Sequence, residues 1–258
     1  MTGSPAPPDL VPARRLHGQE VLLVLGLSLG TSALYAVLDL ARTLSSGKGL
    51  RAQHAVITAS ATPNGTLDLF YQLLGIAYAL VPVLLVLHFL RRGGETAGAI
   101  GLDDRRPGRE AAWGAGLAGA VGGAGLGLYL AAYALGLDVR VVPTDLPPSW
   151  WRVPVLLLAS AQNGVLEEVV VCGFLLHRLR QLAWSDDRAL LTSAVLRGGY
   201  HLYQGVGGFL GNAAMGLLFG RLFQRQGRLG RLVLAHSLID AGAFVGYVYL
   251  KGKVSWLP

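Results

Sequence analysis

Apolar residues run in seven stretches along the chain, roughly 21–41, 70–90, 111–137, 153–176, 189–204, 206–223 and 231–250, with charged residues gathered between them. Most of these runs have the ~20 residues that an α-helix needs to cross the hydrocarbon core of a bilayer. A chain in lipid must satisfy its backbone hydrogen bonds within itself, which leaves helices or closed barrels. The pattern therefore predicts an all-α fold, a polytopic transmembrane helix bundle of about seven or eight spans. The fifth and sixth runs are separated by little more than Gly205 and read equally well as one broken or re-entrant element. In the third run Gly119, Gly123 and Gly127 recur every four residues, a face along which a neighbouring helix can come close. Residues 1–20, rich in proline and small side chains, read as a disordered cytoplasmic tail. Residues 21–258 read as one transmembrane domain.

Composition agrees with this reading. The chain of 258 residues is 52% hydrophobic and 14% charged, with a mean hydropathy of +0.48, whereas a soluble domain carries about 25% charged residues. The net charge of +7 sits in the short loops, which points to anionic lipid rather than nucleic acid as the partner. Basic residues such as Arg14, Arg15, Arg91, Arg92, Arg105, Arg106, Arg178 and Arg180 outnumber those on the opposite side. That bias puts the N-terminus in the cytoplasm, and the expected location is the cell (plasma) membrane. Trp113, Trp150, Trp151, Trp184 and Trp256 fall at run ends, where indoles favour the interface. Cys172 is the only cysteine, which excludes an intrachain disulfide and a cysteine-based zinc site.

Against this background Glu167 and Glu168, adjacent in the middle of the fourth run, stand out. An ionisable residue at the centre of a spanning helix costs about 2.5–3.5 kcal/mol on the insertion scale, so a buried functional site is the default reading. Other polar residues lie in the same half of the chain: Gln162 and Asn163 in the fourth run, Arg197 and His201 in the fifth, Asn212 in the sixth, His236 and Asp240 in the seventh. Arg197 with His201, and His236 with Asp240, are four apart and share a helix face. Glu167 and Glu168 point about 100° apart, so they are expected to have different jobs. Since none can face lipid, all are expected to converge on the bundle interior. Arg197 suits charge balance for the glutamates, because a guanidinium does not deprotonate. Asn212 reads as hydrogen-bonding glue between helices, and Cys172 as a small apolar side chain.

A carboxylate, an imidazole and a water together suggest hydrolysis, with the carboxylate as general base. His236 and Asp240 could support a developing oxyanion. The same side chains can also hold a divalent metal such as zinc. Sequence does not separate metal-activated from glutamate-activated water. The second needs no cofactor, and metal ligands are left unassigned.

The order Glu167-Glu168, then Gly173, then His201 at the end of a span, then His236-x-x-x-Asp240 resembles the motifs of the CPBP family of intramembrane endopeptidases, which comprises the CAAX-processing and bacteriocin-processing proteases, also called Abi. The resemblance covers roughly residues 153–245. It implies an all-helical core that cleaves peptide bonds in or beside the bilayer, with a peptide or membrane-protein substrate. By resemblance Glu167 is the water-activating glutamate, Glu168 its motif neighbour and His201 its partner. His236 and Asp240 are the pair that supports oxyanion or substrate. Two positions depart from the family pattern. Its arginine, four residues after the second glutamate, falls on Cys172, and its aromatic, four before the histidine, falls on Arg197. A single shift explains both if the cation that balances Glu168 has moved from the fourth span to the fifth. Two other readings are a non-catalytic scaffold or immunity protein of the same fold, and an ion- or proton-coupled transporter. No repeat relates the two halves of the chain, as it does in many transporters.

Overall fold

The structure is a computed structural model that describes residues 10–47, 49–102 and 107–254, with side chains except at positions 10–13 and 51. Trp256, Arg105 and Arg106, used above for interface and charge bias, lie outside the described residues. The fold is an all-α bundle of helices α1 (Leu10–Gly26), α2 (Leu29–Ser45), α3 (Gly65–Ala79), α4 (Val81–Arg92), α5 (Pro107–Ala134), α6 (Arg152–Glu167), α7 (Leu176–Gln181), α8 (Asp186–Tyr200), α9 (Val206–Gln226) and α10 (Gly230–Leu250). Helix α1 begins at Leu10, so residues 10–20, expected in a disordered tail, are helical, and Glu20 is buried.

Several apolar runs are not the simple spans expected. The first is bent by 49° between α1 and α2, where the Ser28 hydroxyl donates to the Val24 carbonyl at 2.6 Å, a back-bond that bends helices. Between α3 and α4 the helical path barely breaks, at Leu80, just ahead of Pro82, whose ring and missing N–H disturb the preceding turn. Helices α6 and α7 are joined through a π-helical stretch, Glu168–Leu175, into one rod. Five rods are long and apolar enough to cross a membrane, or six with the bent pair. The fifth run does not qualify. Its helix, α8, has 15 residues, a length of about 22 Å, and gives way to a 3₁₀ turn at Leu202–Gln204.

Loops gather at two ends. At one end a two-stranded parallel sheet, unforeseen in the sequence, joins β1 (His54–Thr58) to β2 (Arg140–Thr144), with His54 opposite Arg140 and Thr58 opposite Thr144. The Val139 amide donates to the Gln204 carbonyl at 3.0 Å, tying this sheet to the turn after α8. At the other end Leu229 N–H donates to the Gly101 carbonyl, and Arg178 forms ion pairs with Glu20 at 2.9 Å and Glu95 at 2.5 Å. Asp138 caps α9 from outside by accepting from the amides of Gly207 and Gly208. Its burial raises its carboxyl above the ordinary value, although those two N–H groups oppose the rise.

The core is built around the π-helical stretch. Val169, Val170, Val171, Cys172, Phe174 and Leu175 are at most 2% exposed and meet residues from α1, α4, α8, α9 and α10. Leu34, Tyr35, Leu38, Phe70, Leu74 and Leu84, in contrast, point away from it, each more than 60% exposed. So much outward apolar surface is costly in water and matched by lipid. Helix α5 packs on α10, but through Gly114, Ala118 and Gly122. A Cβ at Gly114 would lie 2.9 Å from the Arg231 carbonyl, whereas Gly119, Gly123 and Gly127, the expected contact face, have open space.

Candidate active site

The two glutamates sit midway along the α6–α7 rod, at the point where α-helix becomes π-helix. A π segment closes i→i+5 hydrogen bonds, so each turn is wider than an α turn, and such segments recur at functional sites. From α8 the Ser193 hydroxyl donates to the Val171 carbonyl at 3.0 Å, giving a buried acceptor on the wide turn a partner. Gly164, one turn before Glu168, lets α10 lie against α6: a Cβ there would stand 2.8 Å from the Val233 carbonyl.

The glutamates divide as their 100° offset suggests. Glu168 is fully buried and touches a guanidinium and an imidazole from two other helices. One oxygen, Oε1, takes both Nη2 of Arg197 from α8 and Nδ1 of His236 from α10, at 2.8 Å. Arg197 is itself fully buried, its guanidinium also lying over the Phe219 ring, 5.7 Å from the centroid, within cation–π range. The Cys172 thiol lies against the same Glu168 carboxylate. The position where the family pattern has arginine thus faces Glu168, and Arg197 reaches it from the neighbouring helix.

Glu167 is the less enclosed of the two, its side chain 11% exposed. Its Oε2 accepts from the Tyr200 hydroxyl at 2.7 Å and lies 3.9 Å from both Arg197 Nη2 and His236 Nε2. His236, His201 and Arg197 all act on it electrostatically. At the end of α8, His201 Nδ1 is 3.0 Å from the Arg197 carbonyl. A carbonyl only accepts, so Nδ1 carries the proton and Nε2 is left as the base. The His201 ring also packs on Tyr200, with centroids 4.7 Å apart. One turn beyond His236, Asp240 places Oδ1 at 3.8 Å from His236 Nε2, and its Oδ2 accepts from Asn163 Nδ2 at 3.2 Å.

The structure therefore brings Glu167, Glu168, Arg197, His236 and Asp240 together, with His201 at the edge. Asn212 does not join them. Its amide donates to the Gly208 carbonyl of its own helix at 2.9 Å, so the bond it makes is within α9 rather than between helices. Sequence reasoning passed over Tyr200, which in an apolar run looks like packing, and gave Asn163 no partner. Among the described residues no three His, Cys, Asp or Glu side chains form a group suited to a metal ion, and one nitrogen of His236 is already engaged by Glu168.

Residues 148–242 match the family model described as type II CAAX prenyl endopeptidase Rce1-like. The chain carries an Rce1-like domain. This domain runs from the turn before α6 into the second half of α10, and every side chain of the cluster lies within it. Over that stretch the chain is similar to the CPBP/CAAX proteases, in agreement with the motif order. Comparison with curated proteins and with solved structures gave no match.

Proposed function

We propose that the protein is an intramembrane endopeptidase in which Glu167 activates a water for attack on a peptide bond. The carrying observation is the asymmetry of the pair: Glu168 is locked between Arg197 and His236, while Glu167 keeps one oxygen, Oε1, without a hydrogen-bond partner among the described residues. A general base needs such a free acceptor within reach of the water it deprotonates.

In this reading Glu167 Oε1 takes a proton from water as the hydroxide oxygen bonds to the scissile carbonyl carbon. His201, with Nε2 free, accepts a hydrogen bond from the same water. The carbonyl oxygen becomes an oxyanion and is stabilised by His236, whose protonated ring donates from Nδ1 to Glu168 and has Nε2–H left over. The proton held by Glu167 then passes to the departing nitrogen as the C–N bond breaks, leaving a carboxylic acid and an amine and restoring the Glu167 carboxylate; the acid then gives its proton to the amine. The His236 ring is oriented by Glu168 at Nδ1, and Asp240, held by Asn163, adds negative charge at 3.8 Å from Nε2 that favours the protonated ring. No metal step is needed. The substrate is a peptide or membrane protein held at the bilayer, and the family's description makes a prenylated one the first to try.

The test is to offer farnesylated and unmodified peptides, and leader-type peptides, to the purified protein in liposomes and map products by mass spectrometry. The expected result is one defined internal cut, absent in His201→Ala. Peptide binding without any cut, unchanged in Glu167→Gln, would instead support a scaffold, and ion flux without a cut would support a transporter.

A further inference from the structure

We infer that Tyr200 is the positioning residue of this site: its hydroxyl holds Glu167 by Oε2 and so presents Oε1 to the water. The inference rests on the endopeptidase reading and adds to it a residue that neither the motifs nor the family match assigns.

Four observations carry it. The Tyr200 side chain is buried, at 5% exposure, and its hydroxyl is 2.7 Å from Glu167 Oε2. An ionised carboxylate only accepts, so the phenol must donate. The other groups near Oε2, Arg197 Nη2 and His236 Nε2, stand at 3.9 Å, beyond hydrogen-bond range. Tyr200 therefore makes the one hydrogen bond that fixes the rotation of the Glu167 carboxylate among the described residues. Finally, the Tyr200 ring packs on that of His201, with centroids 4.7 Å apart and planes inclined by 41°. One side chain thus orients both members of the water-activating pair, one by its hydroxyl and one by its ring face.

Chemistry gives the arrangement a purpose. A carboxylate that acts as base must present a lone pair in one direction, and small misplacements of reacting groups cost rate steeply. With Oε2 tethered, the proton goes to Oε1, and the Tyr200 hydrogen bond persists while Glu167 is protonated. The phenol does not exchange its own proton in the cycle. With its hydroxyl committed to Glu167 and its ring to His201, Tyr200 acts through those two residues.

A packing residue would look the same in a static structure, so the test must remove the hydroxyl and keep the ring. Wild type, Tyr200→Phe and Glu167→Gln are compared on one peptide that wild type cleaves, with thermal unfolding measured alongside. Tyr200→Phe is expected to keep KM within about two-fold and to lower kcat by about 10- to 100-fold, with unfolding little changed. An unchanged kcat in Tyr200→Phe, with Glu167→Gln inactive, would overturn the inference and leave the endopeptidase reading intact. Should Tyr200→Phe unfold early, p-aminophenylalanine at position 200 restores a donor on the same ring. Recovery of kcat is then expected, and failure to recover it in a folded protein would overturn the inference. Absence of any cleavage by wild type across the peptide panel would overturn both.

Discussion

Glu168 carries a full buried charge whose guanidinium partner comes from α8, while its own helix offers Cys172 at the position where the family pattern has arginine. The pairing was legible from sequence because lipid forbids an unmatched carboxylate, and Arg197 was the cation in reach on a neighbouring span. Removing one partner of a buried pair leaves the other uncompensated, at a cost of about 3–5 kcal/mol. Arg197→Leu is therefore expected to lower the free energy of unfolding by that order, read by denaturant titration in detergent. Adding Cys172→Arg should recover part of the loss, since both positions face the same carboxylate. No recovery in the double variant would show that the two sites are not interchangeable. Tyr200 and Asn163 were not legible in the same way. A neutral polar group in an apolar run carries no signal of what it bonds, and only the fold shows that these two hold Glu167 and Asp240.

At the scale of elements, apolar periodicity located the helices well but did not show where a helix changes kind. Beyond Glu168 the π-helical stretch, residues 169–175, is apolar on every side and reads like any buried helix. Its existence depends on packing around it, including the Ser193 bond to Val171. The same limit misplaced the contact face of α5, because glycine spacing alone fits several faces. It also left α8 open between a span of its own and half of a broken element, since the run 189–204 stays apolar across the turn after Tyr200. The close approach of α6 to α10 at Gly164 has a direct consequence. Gly164→Val would drive its side chain into the Val233 carbonyl and Ser237, and overpacking of this kind costs about 1–3 kcal/mol. It should also move His236 away from Glu167 and Glu168, so cleavage is expected to fall further than stability. A variant as active as wild type would show that the α6–α10 distance does not set the site.

For the molecule as a whole, the all-α membrane architecture was legible because about 20-residue apolar runs have few other uses. The sheet was not, since β1 and β2 are five residues each and their partners lie 86 positions apart in the chain, with no turn signal to join them. At the opposite end, Glu95 ties the loop after α4 to α7 through His177, Arg178 and Gln181, and Arg178 carries the link on to Glu20 of α1. Burial pushes the Glu95 carboxyl up, but hydrogen bonds and charge from His177 and Arg178 outweigh it and hold the carboxyl below its ordinary value of 4.5. A carboxylate depressed in the folded state stabilises fully above its unfolded value, and that contribution is lost as pH falls through the folded one. Wild type should thus lose stability on acidification below about pH 4.5, and Glu95→Gln should remove part of that slope in unfolding curves taken across the acid range. An identical slope in both proteins would show that Glu95 is not coupled to folding.

The central claim is that Glu167 performs the chemistry while Glu168 holds the structure, and it is tested most directly by one rate. Glu167→Gln keeps the size of the side chain and removes the base. Cleavage of a single peptide in liposomes by wild type and by folded Glu167→Gln should differ by about 10²–10⁴-fold, the usual worth of a general base. A folded Glu167→Gln that cleaves at a rate close to wild type would contradict the assignment outright.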